Sequence, residues 1–326
     1  MTRTVYIVGA GASTEFGEMP IGLKLAQSIQ ARAERELRSG GNETEPPITD
    51  ALSRSGGFRQ SHREALARIR ASITTKDSID DFVSEWEDLA DLVETARYCI
   101  AHEIIKGEEK TFLAGASAVG GGFGQTIDKL RGTWLDWVVR HTGSLPRRRL
   151  PEALEGTSFI TFNYDRCIEF YLYHYMHGSA GLPPSDARSA VNAIKIEHVY
   201  GAAGLLPELG GHVPFGKVEP RTLALAAEKI RTYSQSVEDG DALRIRALVS
   251  QADRLVFLGC AFHPQNLDVL FGPGGGPDAE VWATTYGMRP RQVQNATTAL
   301  ARNRPVHRLD ALKAGAFLEA NQDDLF

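Results

Sequence analysis

The feature that most constrains this chain lies at its start. Val5-Tyr6-Ile7-Val8 is a β-branched and aromatic run that stops at Gly9-Ala10-Gly11-Ala12-Ser13, and the next periodic segment, Ile21, Leu23, Leu25, Ala26 and Ile29, has helical spacing. Strand, glycine loop and helix in that order predict the first βα unit of a parallel sheet. Residues 158–161, 193–196, 254–258 and 280–284 read as further buried strands, with 305–307 as a weaker sixth. Helix-length segments, such as 223–233 and 242–252, lie between most of them. The alternation predicts an α/β fold: a Rossmann-like, doubly wound, mainly parallel six-stranded sheet with helices on both faces.

One long gap interrupts this rhythm. From about residue 40 to residue 150 no strand pattern occurs, so the chain divides into a Rossmann-like nucleotide-binding domain over 1–38 and 151–326 and a helical insertion module over 39–150. Loops are expected at 40–50 and 115–124. The clearest inserted helix carries Ile79, Phe82, Val83, Trp86, Leu89 and Val93 on one face, with Asp77 or Ser78 as its cap. Its acidic back reads as a solvated face, with a partner-binding face as the alternative. Pro146-Arg147-Arg148-Arg149-Leu150-Pro151 reads as an exposed linker back to the sheet.

Composition narrows the function classes. Lys+Arg total 36 against 41 Asp+Glu, a formal net charge of -5, which argues against direct nucleic-acid binding. The three cysteines, Cys99, Cys167 and Cys260, form no CxxC pair, so neither a disulfide framework nor a four-thiolate zinc site is expected, and a reducing cytoplasm is the natural location. No apolar stretch approaches the ~20 residues of a membrane span. The run Val5 to Val8 is too short for a signal-peptide core.

Four blocks carry the candidate chemistry. Gly9, Ala10, Gly11 and Ser13 stand where a strand gives way to a helix, the place where a doubly wound sheet can hold a phosphate on backbone N–H groups. Thr14 replaces the third glycine of the usual GxGxxG spacing. Asn163 and Asp165 follow the second strand, on the edge of the sheet where ligands bind; helix capping is an equal alternative for Asp165. His198, after the third strand and before Gly201, is a candidate general base, with His263 ranked below it. The fourth block, Leu258-Gly259-Cys260-Ala261-Phe262-His263-Pro264-Gln265-Asn266, can line a nucleotide through Gly259 and Asn266. His174 and His177 share a helical face but have no third ligand, so no metal site is expected there. Cys260 has no partner set by sequence that would make it a nucleophile.

In this order the four blocks resemble the sirtuin-like domains of bacterial anti-phage systems. Gly9-Ala10-Gly11-Ala12-Ser13 with Phe16, Gly17 and Pro20 looks like the family's first nucleotide loop, Asn163-Tyr164-Asp165 like its asparagine–aspartate motif, and His198 with Gly201 like its catalytic His-Gly. Leu258-Gly259 through Asn266 is similar to the late glycine loop, and Asp77-Ser78-Ile79-Asp80-Asp81-Phe82 to the helical insert, so the likeness spans nearly the whole chain. Three features depart from deacetylating sirtuins: the zinc ribbon is absent, Phe162 stands where glutamine is usual, and Val199-Tyr200 separate His198 from Gly201.

The resemblance implies an NAD+ glycohydrolase, a hydrolase that releases nicotinamide and ADP-ribose as a defence effector in abortive infection. It implies NAD as substrate and no zinc. It places the pyrophosphate on Gly9 to Ser13, ribose and the attacking water at Asn163, the nicotinamide carboxamide at Asp165, and a general base or ribose contact at His198. It further implies a homo-oligomer, with a HerA-class ATPase or another defence protein as partner. A non-catalytic NAD- or ADP-ribose-binding subunit stays open, and behind it a protein deacylase or ADP-ribosyltransferase.

Overall fold

The computed structural model describes residues 2–38, 47–76, 79–117, 122–142, 146, 149–231, 235, 240–303 and 305–326. Asp77, Ser78, Arg147 and Arg148 lie outside the described residues, as do parts of the expected loops at 40–50 and 115–124.

Six strands form one sheet: β1 (Thr4–Val8), β2 (Thr157–Thr161), β3 (Lys195–His198), β4 (Arg254–Leu258), β5 (Glu280–Thr284) and β6 (Arg308–Asp310). Their spatial order is β3-β2-β1-β4-β5-β6, and every neighbouring pair is parallel. The sheet is therefore wholly parallel, in the strand order of a Rossmann-like doubly wound fold.

Side chains alternate along these strands, and each face has its own core. Val5, Ile7, Ile160, Leu255, Phe257 and Val281 enter one core, while Tyr6, Val8, Phe159, Val256, Leu258 and Trp282 enter the other. With both faces covered, the central strands read as continuous apolar runs. The inserted segment contributes to both faces. Leu66, Ile69, Ile100 and Ile104 join the first core, and Trp134, Leu135 and Val138 join the second. Among the described residues between 48 and 141 the regular elements are all helical, and no described helix is long and apolar enough to cross a membrane.

Three elements differ from their expected bounds. The helix Pro184–Ala193 runs to the residue where the third strand was expected, because the Ile194 N–H still bonds back to Val191, so β3 starts at Lys195 and His198 is its last residue. At the sheet edge His307 donates to the Val281 carbonyl, but regular pairing begins only at Arg308 opposite Trp282, not over 305–307. The acidic inserted helix is two helices, Ile79–Glu85 and Ala90–Glu109. A turn between them, in which Leu89 N–H bonds to Trp86 carbonyl, leaves Leu89 39% exposed rather than in the apolar stripe. Trp86 is covered instead by the Arg68 guanidinium, 4.3 Å above its ring.

Candidate functional site

A cavity of about 780 Å3 opens at the carboxyl ends of the strands. Its walls come from the segments after all six: Gly9 to Glu15 after β1, Phe162 to Asp165 after β2, Tyr200 after β3, Gly259 to His263 after β4, Tyr286 to Met288 after β5, and Lys313 with Ala314 after β6. β1 is flanked by β2 on one side and β4 on the other, so the chain reverses its winding here, and the diverging connections leave a crevice.

The glycines of the first and last blocks are there for each other. A Cβ on Gly9 would stand 2.5 Å from the Gly259 oxygen, one on Gly11 2.9 Å from the same atom, and one on Gly259 2.1 Å from the Ala12 nitrogen. Gly259 also has φ +62, in the left-handed region that disfavours a side chain. The two loops are laced by backbone bonds, Gly9 N–H to Leu258 and Gly11 N–H to Gly259, while Ala12 N–H turns back to Gly9 and Gly259 N–H donates to Thr284 Oγ1. The Gly9, Gly11 and Ala12 amides, part of the loop expected to cradle a phosphate, are thus already engaged within the fold.

Asn163, Ser13 and Asp165 meet as one relay on the cavity wall. Asn163 Nδ2 donates to Ser13 Oγ at 2.9 Å, and Ser13 Oγ donates to Asp165 Oδ2 at 2.9 Å. Asp165 Oδ1 accepts the Cys167 N–H, so this carboxylate serves as the helix-entry acceptor as well as a cavity residue. A carboxylate can only accept, so the Ser13 hydroxyl must spend its proton on Asp165 and receive one from Asn163. That fixes the amide: Nδ2 faces Ser13, and Oδ1 is left buried with no hydrogen-bond partner in a residue only 7% exposed. Such an orphan acceptor is costly unless something donates to it.

His198 is brought to the same loop, from behind. Its Nδ1–H donates to the Asn163 main-chain carbonyl at 2.9 Å and its Nε2–H to Glu169 Oε1 at 2.6 Å. Both partners are acceptors, so both ring nitrogens carry protons. Burial would lower the imidazole pKa, but the Glu169 charge and hydrogen bond outweigh it and push the ring up to about 9. Burial would raise the Glu169 carboxyl, and the imidazolium holds it below the ordinary carboxylate range instead. His198 is not among the residues lining the cavity, whereas His263 is. Gly201 does not face the cavity either; at φ +72, a Cβ there would stand 1.8 Å from the Lys229 oxygen.

Behind the loop, Arg166 forms a buried ion pair with Glu108 of the inserted helix, its Nε 3.0 Å from Oε1, and also donates to the Val213 carbonyl. Asn266 lines the cavity with its Oδ1 held by the Tyr200 hydroxyl at 2.7 Å. Cys260 lies against the Ile7 carbonyl, and desolvation pushes its thiol up to about 12, which leaves no thiolate near neutral pH.

Sequence reasoning missed Glu169, Tyr200, Tyr286 and Lys313. No local signal marks them: Glu169 lies 29 residues from His198, and only the parallel pairing of Thr161 with His198 brings their neighbourhoods together. It also missed His62, Asp91 and Glu94, whose ligand-type atoms cluster within 4.8 Å. Arg59 already occupies that cluster, bonded to Asp91 and Glu94. No family model matches this chain, and no curated protein sequence is significantly similar to it.

Proposed function

We propose that the chain is an NAD+ glycohydrolase that releases nicotinamide and ADP-ribose. The observation that carries the reading is the partnerless, buried Asn163 Oδ1 at the switch-point cavity, locked as an acceptor by Ser13 and Asp165. An acceptor in that place suits a ribose hydroxyl or the attacking water. The cavity volume suits a nucleotide-sized ligand.

In this reaction the C1′–N bond breaks, its electron pair neutralises the pyridinium ring, water oxygen bonds to C1′, and one proton is released. The leaving group departs neutral and needs no acid, so the protein's part is to hold the ribose and the water while positive charge develops on the sugar. Asn163 Oδ1 does this in our reading. Asp165 acts through Ser13, and His198 acts through the Asn163 peptide as a positioning residue. Of the two candidate histidines His263 lines the cavity, and in our reading it takes the water proton. No metal is required.

The resemblance drawn from sequence adds the biological setting: a defence effector held in check within a homo-oligomer or by a partner ATPase. The second reading, NAD or ADP-ribose bound as a signal without turnover, is favoured by the engagement of both His198 nitrogens. One assay separates the two. Purified protein, alone and with the product of its neighbouring gene, is incubated with NAD+ and nicotinamide release is followed. We expect turnover, and Asn163→Ala to reduce it 100-fold or more, about 3 kcal/mol of transition-state stabilisation. Tight NAD+ binding without any release would favour the signal-binding reading, and full activity in Asn163→Ala would refute the assignment of that residue.

A further inference from the structure

A dinucleotide carries two negative charges on its diphosphate, and three backbone N–H groups of the expected cradle, those of Gly9, Gly11 and Ala12, are engaged within the fold. The neighbouring Gly259 N–H, on the loop that faces them, is held by Thr284 Oγ1, and backbone amides carry no net charge. Countercharge must come from elsewhere, and among the described residues lining the cavity one lysine or arginine is present, Lys313.

Its setting is that of a cation held in reserve. Lys313 follows β6, and its ammonium rests 5.6 Å from the centre of the Tyr286 ring, which is itself 60% exposed at the cavity wall. The Glu15 carboxylate lines the same cavity and feels the Lys313 charge, but its oxygens accept from the backbone N–H groups of Trp134 and Gly315, and among the described residues Lys313 makes no ion pair within 4 Å. A cation over an exposed ring is weakly held, so an oxyanion entering the cavity outcompetes the ring for the ammonium.

We propose that Lys313, parked on Tyr286 until ligand arrives, is the countercharge for the diphosphate of a dinucleotide bound in this cavity, an inference that rests on the NAD reading above. It moves the anion-binding role from the glycine loop to the opposite, β5–β6 side of the crevice. The glycine loop then acts as a rigid wall that brings Ser13 to Asn163.

The test is calorimetric titration of the full-length chain with NAD+, ADP-ribose, inorganic pyrophosphate and the phosphate-free nicotinamide riboside. Lys313→Met, at an exposed position, should weaken ADP-ribose and pyrophosphate binding roughly 10- to 100-fold and leave nicotinamide riboside unchanged. Lys313→Arg should stay within about threefold of wild type, since it keeps the charge. Wild-type affinity for ADP-ribose in Lys313→Met would overturn the proposal while leaving the NAD reading intact. Pyrophosphate bound through Lys313 with no binding of NAD+ or ADP-ribose would keep the anion site and overturn the dinucleotide reading. A wild-type chain that binds none of the phosphates would overturn both.

Discussion

The buried His198–Glu169 pair makes a quantitative prediction about stability and pH. Raising the imidazole from its ordinary 6.5 to about 9 corresponds to about 3 kcal/mol of preference for the charged ring in the folded state. Because the folded value lies above the unfolded one, this contribution is complete below pH 6.5, fades as pH rises towards 9, and is gone above it. The same contact seen from Glu169, whose carboxyl is held low, is lost on the acid side as pH falls below the ordinary carboxylate value. The other charges acting on the pair are Asp165, which also favours the imidazolium, and Arg166, which favours the Glu169 carboxylate. Urea unfolding at pH 6, 7.5 and 9.5, on wild type and on the double variant His198→Gln/Glu169→Gln, isolates the effect. Wild type should lose about 3 kcal/mol more than the double variant between the first and last pH. His198→Gln alone should cost about 3 to 5 kcal/mol, since it leaves the Glu169 carboxylate buried and unpaired. Identical pH dependence in wild type and the double variant would refute the ion pair and return His198 to the pool of candidate bases.

Two further substitutions test the rest of the site. Ser13→Ala removes the hydroxyl that links the Asn163 amide to Asp165; it should cost about 1 to 3 kcal/mol in denaturant unfolding and slow the proposed NAD+ cleavage, with Ser13→Thr retaining more of both. Gly259→Ala adds a Cβ 2.1 Å from the Ala12 nitrogen at a left-handed φ, so a thermal melt should show a loss of at least ~2 kcal/mol. Gly210→Ala, at φ +96 with open space around it, is the control and should cost only the backbone strain, about 1 kcal/mol; equal losses in the two would refute the interlocked-loop argument.

Much of the fold was legible because parallel strands buried on both faces write themselves as uninterrupted apolar runs. Val5 to Val8, Arg254 to Leu258 and Glu280 to Thr284 could be read that way within a residue. The two strands that were misplaced sit at the sheet edges, where β3 and β6 are only partly buried and no apolar run marks their limits. The break after Trp86 was hidden for a related reason: Leu89 continues the helical period, and only tertiary packing sends the chain elsewhere.

The site divides along the same line. By itself the sequence determined that Asn163, Asp165, the two glycine loops and Asn266 would gather at the carboxyl edge, because each follows a strand and parallel winding points every strand exit the same way. Only the tertiary structure decided what each group could still do there. The Gly9 and Gly11 amides went into loop–loop hydrogen bonds, and His198 was claimed by a glutamate 29 residues away. Asn163 kept a free acceptor, since Asp165 had already dictated the direction of the Ser13 hydroxyl. Strand order follows from local pattern and winding, but a hydrogen bond can be given only once, and which partner receives it is settled by distances that exist only after the chain has folded.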